Sequence, residues 1–381
     1  MPKIQFIKRK IQDSYIIWLG KSNNYIQLEE PAWFVFSKIA KSYKLETIAS
    51  KCAVRYGLTR EESIIFVNDI RSGIDEMNQP ANIVENAGDY PIELKSFTFK
   101  PYSIHRYSFG DSLIEFSYET KLFESYLHPL ISHLETTEIN DKIPVFELFG
   151  YHDKIVFRLN NTIKGVWANN ETHLVKGLIF MNMVNVMFDK TDDFWLMTVH
   201  ASAITNGRKT ILISAEPGSG KTTMAAMLQY RGYQLVSDDF VPIDRYSFFA
   251  WPFPIAMSVK HGSMDLLSSI YPDLEQKPIV QITSEKAVRY VFPENNQEYS
   301  NKAFPAKEFI FIKYDQSVDF EWKMLDKVNA VKLLLDQSWI SPAGGNADIL
   351  LDRLSHWSFY KLTYSNNQKA LDAITNLFNN D

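Results

Sequence analysis

One short loop of the chain, 215-AEPGSGKT-222, has residue types and a spacing that suit phosphate binding. A strand-like apolar run, 211-ILIS-214, precedes this loop, and a helical pattern follows it. Gly218 and Gly220 allow successive backbone N–H groups to point inward around anionic oxygens. The helix that begins near Lys221 adds the positive end of its dipole. The loop therefore predicts a site for the phosphates of a nucleotide.

The side chains and the backbone of the loop are expected to contact different parts of the nucleotide and its Mg²⁺ ion. Lys221 should reach the β- and γ-phosphates, and Thr222 should offer its hydroxyl to Mg²⁺. The residues predicted to bind the nucleotide are Pro217, Gly218, Ser219, Gly220, Lys221, Thr222 and Thr223. Ala215 stands where glycine is common, which is compatible with the loop if its φ is negative. An ordinary glycine-rich turn from strand to helix is the alternative.

Two adjacent carboxylates, Asp238 and Asp239, end an apolar strand 17 residues beyond Lys221. Beside a phosphate loop, one carboxylate can bind magnesium while the other accepts a proton from an attacking hydroxyl. Like charges this close raise the pKa of one carboxyl, which suits a general base. A solvated Asp-Asp turn is the alternative.

A histidine, His200, ends the run 195-WLMTVH-200 just before the strand that leads into the loop. Because neighbouring strand ends meet in a sheet, His200 is expected near Asp238 or Asp239. A histidine in that position could orient or polarise a carboxylate. The alternative is a histidine with a structural role only.

The elements that would position these residues alternate in type along the C-terminal part of the chain. Strand, loop, helix and strand follow one another across residues 195–244, which predicts an α/β fold with a mainly parallel or mixed sheet. Residues 95–195 mix strands and helices. Within them, 119-ETKLFESYLHPLISHLE-135 is helical by pattern, although Pro129 should bend or break the helix.

The N-terminal stretch reads as three short strands followed by three helices. Thr59 and Glu62 predict a capping box at the start of the third helix, and Gly57 suits the end of the second. The polar stretch 78-NQPANIVENAGDYP-91 indicates a linker. The predicted domains are a winged-helix-like α+β domain at 1–90, an intervening α/β part at 95–195 and a catalytic α/β domain at 196–381.

Composition narrows the classes of partner. The net charge of −5 disfavours a nucleic-acid partner, and the single cysteine excludes an internal disulfide. No apolar run approaches the length of a membrane span, and the N-terminus MPKIQFIKRK lacks the apolar region of a signal peptide. We therefore expect a cytoplasmic protein with no membrane partner.

The segment 199-VHASAITNGRKTILISAEPGSGKTTMAAMLQYRGYQLVSDDFVPID-244 resembles the core of the HPr kinase/phosphorylase family. That family combines a histidine on the preceding strand, a phosphate loop, a helix ending in Arg-Gly and the sequence Leu-Val-x-Asp-Asp. The resemblance implies that Lys221 and Thr222 bind ATP and Mg²⁺ and that His200 assists the aspartates. It implies Asp239 as the base and Asp238 as the metal ligand, with the exchanged assignment left open.

The resemblance also has a limit, because the family's later glycine and arginine signature, linked to phosphorolysis, is absent. The runs 252-PFPIAMSVKHGSMDLL-267 and 288-VRYVFP-293 resemble the branch called HPr-kinase-related proteins instead. In that branch Lys260, His261, Ser263 and Arg289 are candidates for contacting phosphate or substrate. Ordinary surface residues are the alternative at these positions.

The N-terminal stretch resembles a second family, the PqqD-like peptide-binding domains. These domains bind the leader of a ribosomally made precursor peptide as an added strand at the sheet edge, against the third helix. The resemblance implies an edge at Tyr25, Ile26, Gln27 and Leu28 and a helix over Thr59 to Met77. A winged helix that binds DNA is the alternative, and the acidity of the third helix argues against it.

Together the two resemblances imply an ATP- and Mg²⁺-dependent kinase that phosphorylates a Ser or Thr hydroxyl of a leader-bearing precursor peptide, as in lasso-peptide-type natural products. One alternative is a kinase of a small molecule or a carrier protein. Another is a non-catalytic nucleotide-binding scaffold that presents the peptide to maturation enzymes. The sequence leaves open the nucleotide donor, the acceptor residue, phosphorolysis, and whether the protein is a monomer or a homo-oligomer.

Overall fold

The computed structural model describes residues 4–80, 90–140, 142–283, 286–294 and 302–379. It is a mixed α/β protein with several β-sheets. Most of the predicted linker, 78–91, lies outside the described residues. Within the described ranges, no helix is both long enough and apolar enough to cross a lipid bilayer.

The N-terminal region contains the three strands and three helices that the sequence predicts. They are β1 (Phe6–Ile11), β2 (Ser14–Leu19), β3 (Asn24–Glu29), α1 (Glu30–Ile39), α2 (Leu45–Tyr56) and α3 (Arg60–Met77). The strands form an antiparallel sheet in the order β1-β2-β3. The predicted capping box is present, because Thr59 and Glu62 bond reciprocally at the start of α3. Gly57 ends α2 with the left-handed φ of 68° that favours glycine.

The middle region holds a second sheet, in the order β4-β5-β6-β7-β8. Its elements are α4 (Ile92–Lys95), β4 (Ser103–Phe109), β5 (Ser112–Tyr118), α5 (Lys121–Ile131), β6 (Val145–Tyr151), β7 (Lys154–Leu159), β8 (Thr162–Ala168) and α6 (Thr172–Phe188). Helix α5 ends two residues after Pro129 and continues as a 3-10 turn, Ser132–Leu134. The helix predicted at 119–135 is therefore present, and its α-helical part is shortened at the proline end.

The C-terminal region carries the phosphate loop. Its elements are β9 (Trp195–Val199), β10 (Ala201–Thr205), β11 (Thr210–Ser214), α7 (Lys221–Tyr230), β12 (Gln234–Ser237), β13 (Val241–Asp244), β14 (Phe249–Ala250), β15 (Met257–Lys260), α8 (Met264–Ser268), β16 (Val280–Thr283), β17 (Lys286–Val291), β18 (Phe304–Tyr314), β19 (Phe320–Met324), α9 (Lys327–Asp336), β20 (Ser338–Ile340), α10 (Asn346–Arg353), β21 (Ser358–Tyr364) and α11 (Asn367–Asn379). A small sheet has the order β15-β17-β16, and the large sheet runs β12-β10-β11-β18-β14-β13-β9.

The large sheet is mixed, which is the second of the two forms that the sequence predicts, and it is not mainly parallel. The pairs β11–β18 and β18–β21 are parallel. The pairs β10–β11, β10–β12, β9–β13, β13–β14, β14–β18 and β19–β21 are antiparallel. The physical reason is the turn at 206–209, where Asn206 and Gly207 close a hairpin between β10 and β11. Strands β11 and β12 run in the same direction, as a strand–helix–strand unit should, but β10 lies between them.

The chain divides into two compact units. The first unit draws its described residues from Met1–Ile83, Leu325–Asp336 and Ile340–Trp357, and the second from Val84–Met324, Gln337–Trp339 and Ser358–Asp381. Helices α9 and α10 therefore belong to the same unit as the N-terminal strands, an arrangement that their order along the chain did not suggest. The domain boundaries predicted at 90, 95 and 196 remain a prediction.

Candidate functional site

The phosphate-loop candidate joins the buried strand β11 to helix α7, which begins at Lys221. Gly218 and Gly220 have φ of 90° and 93°, values that L side chains rarely adopt. A Cβ at Gly220 would also lie 3.1 Å from the Tyr364 hydroxyl. Ala215 is not among the residues with positive φ, so the alanine is compatible with this loop. Both glycines are thus required by backbone conformation.

Lys221, Asp239 and His200 meet at the mouth of this loop. The Lys221 ammonium lies 2.7 Å from Oδ1 of Asp239, and Nε2 of His200 lies 3.1 Å from the same oxygen. Lys221 is a buried residue, whereas half of the Asp239 side chain is exposed. The structure therefore brings together the lysine, the second aspartate and the histidine that the sequence selected from three separate segments.

Asp238 lines the same pocket as Asp239 but is buried. Only 2% of its surface is exposed. Its Oδ1 accepts a hydrogen bond from the Ser202 hydroxyl, and its Oδ2 accepts one from the Thr222 hydroxyl at 3.1 Å. The two neighbouring aspartates thus line one pocket in different environments: Asp238 is buried against two hydroxyls, and Asp239 is half-exposed beside Lys221 and His200.

The sheet explains how these segments meet. The chain crosses from β9 to β10 at His200 and from β12 to β13 at Asp238 and Asp239. These two crossings lie side by side, because β10 pairs with β12 and β9 pairs with β13. The backbone N–H of His200 bonds to the carbonyl of Gln337 instead of continuing the β10 ladder. Asp239 has a φ of 69°, a left-handed conformation that is uncommon for a residue with a Cβ.

The surroundings of Asp238 and Asp239 shift the pKa values of the two carboxyls in opposite directions. Burial raises the pKa of Asp238, with Lys221 opposing that shift and the charge of Asp239 reinforcing it. Burial also acts to raise the pKa of Asp239, but the charges of Lys221 and His200 outweigh it and hold this pKa well below its usual range. Burial and the nearby Lys221 charge lower the pKa of His200. Asp239 is therefore ionised under all ordinary conditions.

These residues line one pocket with a volume of about 270 Å³. The predicted nucleotide-binding residues on its wall are Pro217, Gly218, Gly220, Lys221, Thr222 and Thr223. Ser219 is not on the wall, and its carbonyl accepts a hydrogen bond from the backbone of Tyr314. Thr223 also contacts the hydroxyl of Ser263 at 2.6 Å.

The two basic candidates for contacting phosphate or substrate, Lys260 and Arg289, have different positions. Lys260, at the end of β15, lines the pocket. Arg289 on β17 does not, and its Nε donates to the carbonyl of Lys277 at 2.9 Å. Arg289 lies instead beside His261 around a separate cavity of about 170 Å³. Successive side chains of a strand point to opposite faces, which separates Arg289 from the pocket-lining Tyr290.

Sequence reasoning did not find several residues of the pocket. Ser202 holds the buried carboxylate of Asp238, and Lys176, Ser258 and Tyr290 line the wall. Lys176 comes from α6, far from the loop in sequence, and no local motif marks it. Ser202 could have been predicted from the sequence, because it lies two residues beyond His200 on a strand that neighbours the strand leading into the loop.

The donor set suits a small divalent cation. The Thr222 hydroxyl and the buried Asp238 carboxylate lie 3.1 Å apart, and both are the oxygen ligands that Mg²⁺ prefers. Mg²⁺ in phosphate-loop enzymes is held by such a hydroxyl and carboxylate and neutralises phosphate charge. These residues therefore fit the metal that the loop motif implies.

Comparison with known proteins adds little to this geometry. No family model and no curated protein matches the chain. Among solved structures, the HPr(Ser) kinase/phosphatase from Coxiella burnetii matches with a TM-score of 0.21 and 12% identity, over 47% of this chain and 89% of that one. A TM-score at this level carries no argument about fold or function. Assignment of the site therefore depends on its own residues.

The first unit contains the predicted peptide-binding edge, Tyr25 to Leu28 on β3. In the described part of the chain, β3 pairs with β2 and with no other strand. The opposite edge is different, because Arg9 on β1 forms ion pairs with Asp348 and Asp352 of α10 at 2.9 and 2.6 Å. Helix α10 thus packs beside β1, and within the described ranges β3 is the edge strand without a second strand partner.

The residues of β3 have distinct surroundings. Ile26 and Leu28 pack against the core of the first unit, whereas Gln27 is exposed. The Tyr25 hydroxyl oxygen is buried and has no hydrogen-bond partner among the described residues. The Asn24 side chain donates to the carbonyl of Met77 at 2.7 Å, which ties the start of β3 to the end of α3. The start of β3 and the end of α3 are therefore neighbours.

Proposed function

We propose that this protein is an ATP- and Mg²⁺-dependent kinase that phosphorylates a Ser or Thr hydroxyl of a ribosomally made, leader-bearing precursor peptide. The observation that carries the proposal is the placement of Asp239. This ionised carboxylate faces the same pocket as the phosphate-loop lysine and is bonded to it at 2.7 Å. A loop that only holds a nucleotide does not need an acidic group at that position.

The polar groups nearest the loop have places in phosphate transfer. The loop backbone, Lys221 and Thr222 would hold the donor phosphates, and Asp238 with Thr222 would hold Mg²⁺. Asp239 would accept the proton of the attacking hydroxyl, with His200 orienting its carboxylate. The half-exposed side chain of Asp239 supports its assignment as the base, and the burial of Asp238 supports a role toward the metal.

Lys221 would change partner during this reaction. In the structure it neutralises Asp239 and keeps the pKa of that carboxyl low, which makes Asp239 a weak base. Donor phosphates entering the loop would compete for the ammonium group. Once Lys221 turns to them, the pKa of Asp239 rises and its affinity for the acceptor proton increases. Nucleotide binding and activation of the base would then be coupled through one side chain.

The peptide acceptor is supported by the first unit. Among the described residues, β3 has a strand partner on one side only, and Asn24 at its start bonds to Met77, the last residue of α3. Peptide-binding domains of the PqqD-like type, which the N-terminal sequence resembles, use this mode of strand addition. Tethering of a leader raises the local concentration of the acceptor segment, so the catalytic pocket needs little affinity of its own.

The test is a transfer assay with the full chain, Mg-ATP and a leader-bearing peptide, read by mass spectrometry. We expect one phosphate on a Ser or Thr side chain, no product with a chelator present, and a loss of about 10²–10⁴-fold in rate for Asp239→Asn. Asp153→Asn, in the exposed turn between β6 and β7, is the matched control and should retain activity. Wild-type protein that binds the peptide but never phosphorylates it would refute the kinase proposal.

The same assay separates the alternatives. A non-catalytic scaffold predicts that Asp239→Asn keeps function in peptide maturation while Lys221→Ala removes it. A kinase of a small molecule or a carrier protein predicts transfer to that acceptor, with no change in hydrogen exchange at β3 when the peptide is added. The peptide kinase predicts slower exchange of the β3 amides, residues 24–29, in the presence of the leader.

A further inference from the structure

A second group of titratable side chains lies in the second unit, away from the wall of the phosphate pocket. His105 is on β4, Glu124 and His128 are on α5, and Glu135 follows the 3-10 turn after that helix. None of these four residues lines the pocket that contains Lys221. Glu124 and His128 are four residues apart, so they project from the same face of α5.

The four side chains are in direct contact. Nδ1 of His105 lies 2.6 Å from a carboxylate oxygen of Glu135, and its Nε2 lies 2.7 Å from one of Glu124. The rings of His105 and His128 stack with their centroids 4.2 Å apart. One donor atom from each of His105, His128 and Glu135 lies within 4.8 Å of the other two.

This arrangement needs a positive charge at its centre. A neutral imidazole carries one N–H and cannot donate to carboxylates at both of its nitrogens. Either a second proton or a metal ion must balance the two carboxylates around His105. We propose that His105, His128 and Glu135 bind a divalent metal ion such as Zn²⁺ or Co²⁺. Two imidazole nitrogens with one carboxylate select Zn²⁺ or Co²⁺ over Mg²⁺ and Ca²⁺, which prefer oxygen ligands.

The ring nitrogens of His105 and His128 that would not bind the metal have hydrogen-bond partners of the kind that metal-binding histidines usually have. A metal-bound histidine typically donates its second N–H to a carboxylate or similar acceptor, and Glu124 occupies that position at Nε2 of His105. The Tyr107 hydroxyl lies 2.8 Å from Nδ1 of His128 and orients the second ring. Tyr107 is fully buried, so this contact is fixed by packing.

Electrostatics agrees with the geometry. Burial lowers the pKa of His128, which favours the neutral ring that a metal ligand requires. Burial also acts to lower the pKa of His105, but Glu135 and Glu124 outweigh it and raise that pKa. The negative field that favours a proton on His105 favours a divalent cation in the same place.

Binding requires the stacked rings of His105 and His128 to tilt, because the nitrogen lone pair that binds a metal lies in the plane of its ring. Zinc bonds of about 2.0–2.2 Å to nitrogen and oxygen place tetrahedral ligands roughly 3.3 Å apart, so the contact between His105 and Glu135 must open. The Glu135 side chain is 46% exposed and has room to move outward. A bound ion would join β4, α5 and the segment after α5, and would leave a coordination position for water.

The test uses the full chain, stripped with a chelator and dialysed into excess Mg²⁺ so that oxygen-rich sites are filled. Titration with Co²⁺ should give the visible absorption of a nitrogen-containing site with low coordination number, at one equivalent per chain, and Zn²⁺ should displace it. His128→Gln and Glu135→Gln should abolish the signal, and Glu124→Gln should weaken affinity by about 10–100-fold. His173→Gln, at the exposed start of α6, is the control and should bind normally.

Wild-type protein that takes up neither ion under these conditions would overturn the proposal in favour of a protonated His105. Uptake that is unchanged in both His128→Gln and Glu135→Gln would overturn it as well. Near-ultraviolet circular dichroism checks that the variants fold, and the wild-type Co²⁺ titration decides the question if they do not. None of these measurements uses phosphate transfer, so the outcome is independent of the proposed kinase activity.

Discussion

The phosphate pocket of the second unit and the open strand edge of the first unit would bind their ligands with different parts of the chain. The pocket depends on named side chains: a lysine, a threonine, two aspartates and a histidine. The edge at β3 depends mainly on backbone N–H and C=O groups, which every residue except proline carries in full. Side-chain chemistry restricts the amino acids at a position, whereas strand pairing restricts them weakly. The donor site is therefore much easier to recognise in a sequence than the acceptor site.

The largest effect is expected when the positive charge of Lys221 is removed from the phosphate loop. Lys221→Met should lower kcat/KM for phosphate transfer by about 10²–10³-fold, because one preorganised positive group on the phosphates is lost. The measurement is steady-state kinetics with Mg-ATP and peptide. Lys154→Met, at the exposed start of β7, removes a lysine of equal length elsewhere and should have wild-type kinetics. Normal transfer by Lys221→Met would remove the loop from the mechanism.

The second prediction concerns the strand edge. Removing the leader from the peptide should lower kcat/KM by about 100-fold while kcat at saturating peptide changes little, because tethering acts through effective concentration. A peptide with a scrambled leader of the same composition is the control and should behave like the leaderless peptide. Equal kcat/KM for the intact and leaderless peptides would mean that β3 does not capture the substrate.

The third prediction tests Ser202, which sequence reasoning missed. Ser202→Ala removes a hydrogen bond from the buried carboxylate of Asp238 and should raise the pKa of that carboxyl further. We expect the Mg²⁺ concentration for half-maximal rate to rise about 10-fold, with little change in rate at saturating Mg²⁺. Ser202→Thr, which keeps the hydroxyl, should restore most of the affinity. An unchanged Mg²⁺ requirement in Ser202→Ala would show that Asp238 does not contact the metal.

The smallest effect is expected in the pH dependence of stability. The pKa of His200 is lowered from its ordinary value of 6.5, so the unfolded chain binds more protons just below pH 6.5 and stability falls as the pH falls through that window. His200→Gln removes this titration and keeps a donor toward Asp239. Thermal unfolding should therefore show a decrease in Tm between pH 7.5 and 5.5 that is larger for wild type than for the variant, by about one degree because the side chain is partly exposed to solvent. An identical decrease in both proteins would contradict the assignment.

Much of the local structure could be predicted because its causes are local. The capping box of Thr59 and Glu62, the glycine that ends α2 and the helix after the phosphate loop all depend on residues within one or two turns. The sheet order could not be read in the same way. The sequence left open a mainly parallel or a mixed sheet, and the hairpin at 206–209 makes the sheet mixed because it places β10 between the two strands that flank α7.

The candidate site shows the same division. Lys221 and Thr222 belong to one contiguous motif, and their spacing alone indicated phosphate. Strand order predicted that His200 lies near one of the two aspartates. In the structure, Nε2 of His200 lies 3.1 Å from Oδ1 of Asp239. Arg289 was a candidate because of its charge, but strand alternation turns it away from the pocket and toward the carbonyl of Lys277. A side chain's direction depends on register, which one sequence does not reveal.

By itself, the sequence determined which residues could do chemistry: the loop with its two glycines, the lysine that follows them and the adjacent aspartates. It could do so because phosphate binding requires particular residue types at a fixed local spacing. Only the tertiary structure decided that one aspartate is buried against Ser202 and Thr222 while its neighbour is half-exposed beside Lys221. It also decided that α10 packs beside β1, while β3 pairs only with β2 in the part of the chain that the structure describes. These outcomes depend on contacts between segments far apart in the chain, whose geometry is set by packing and strand register.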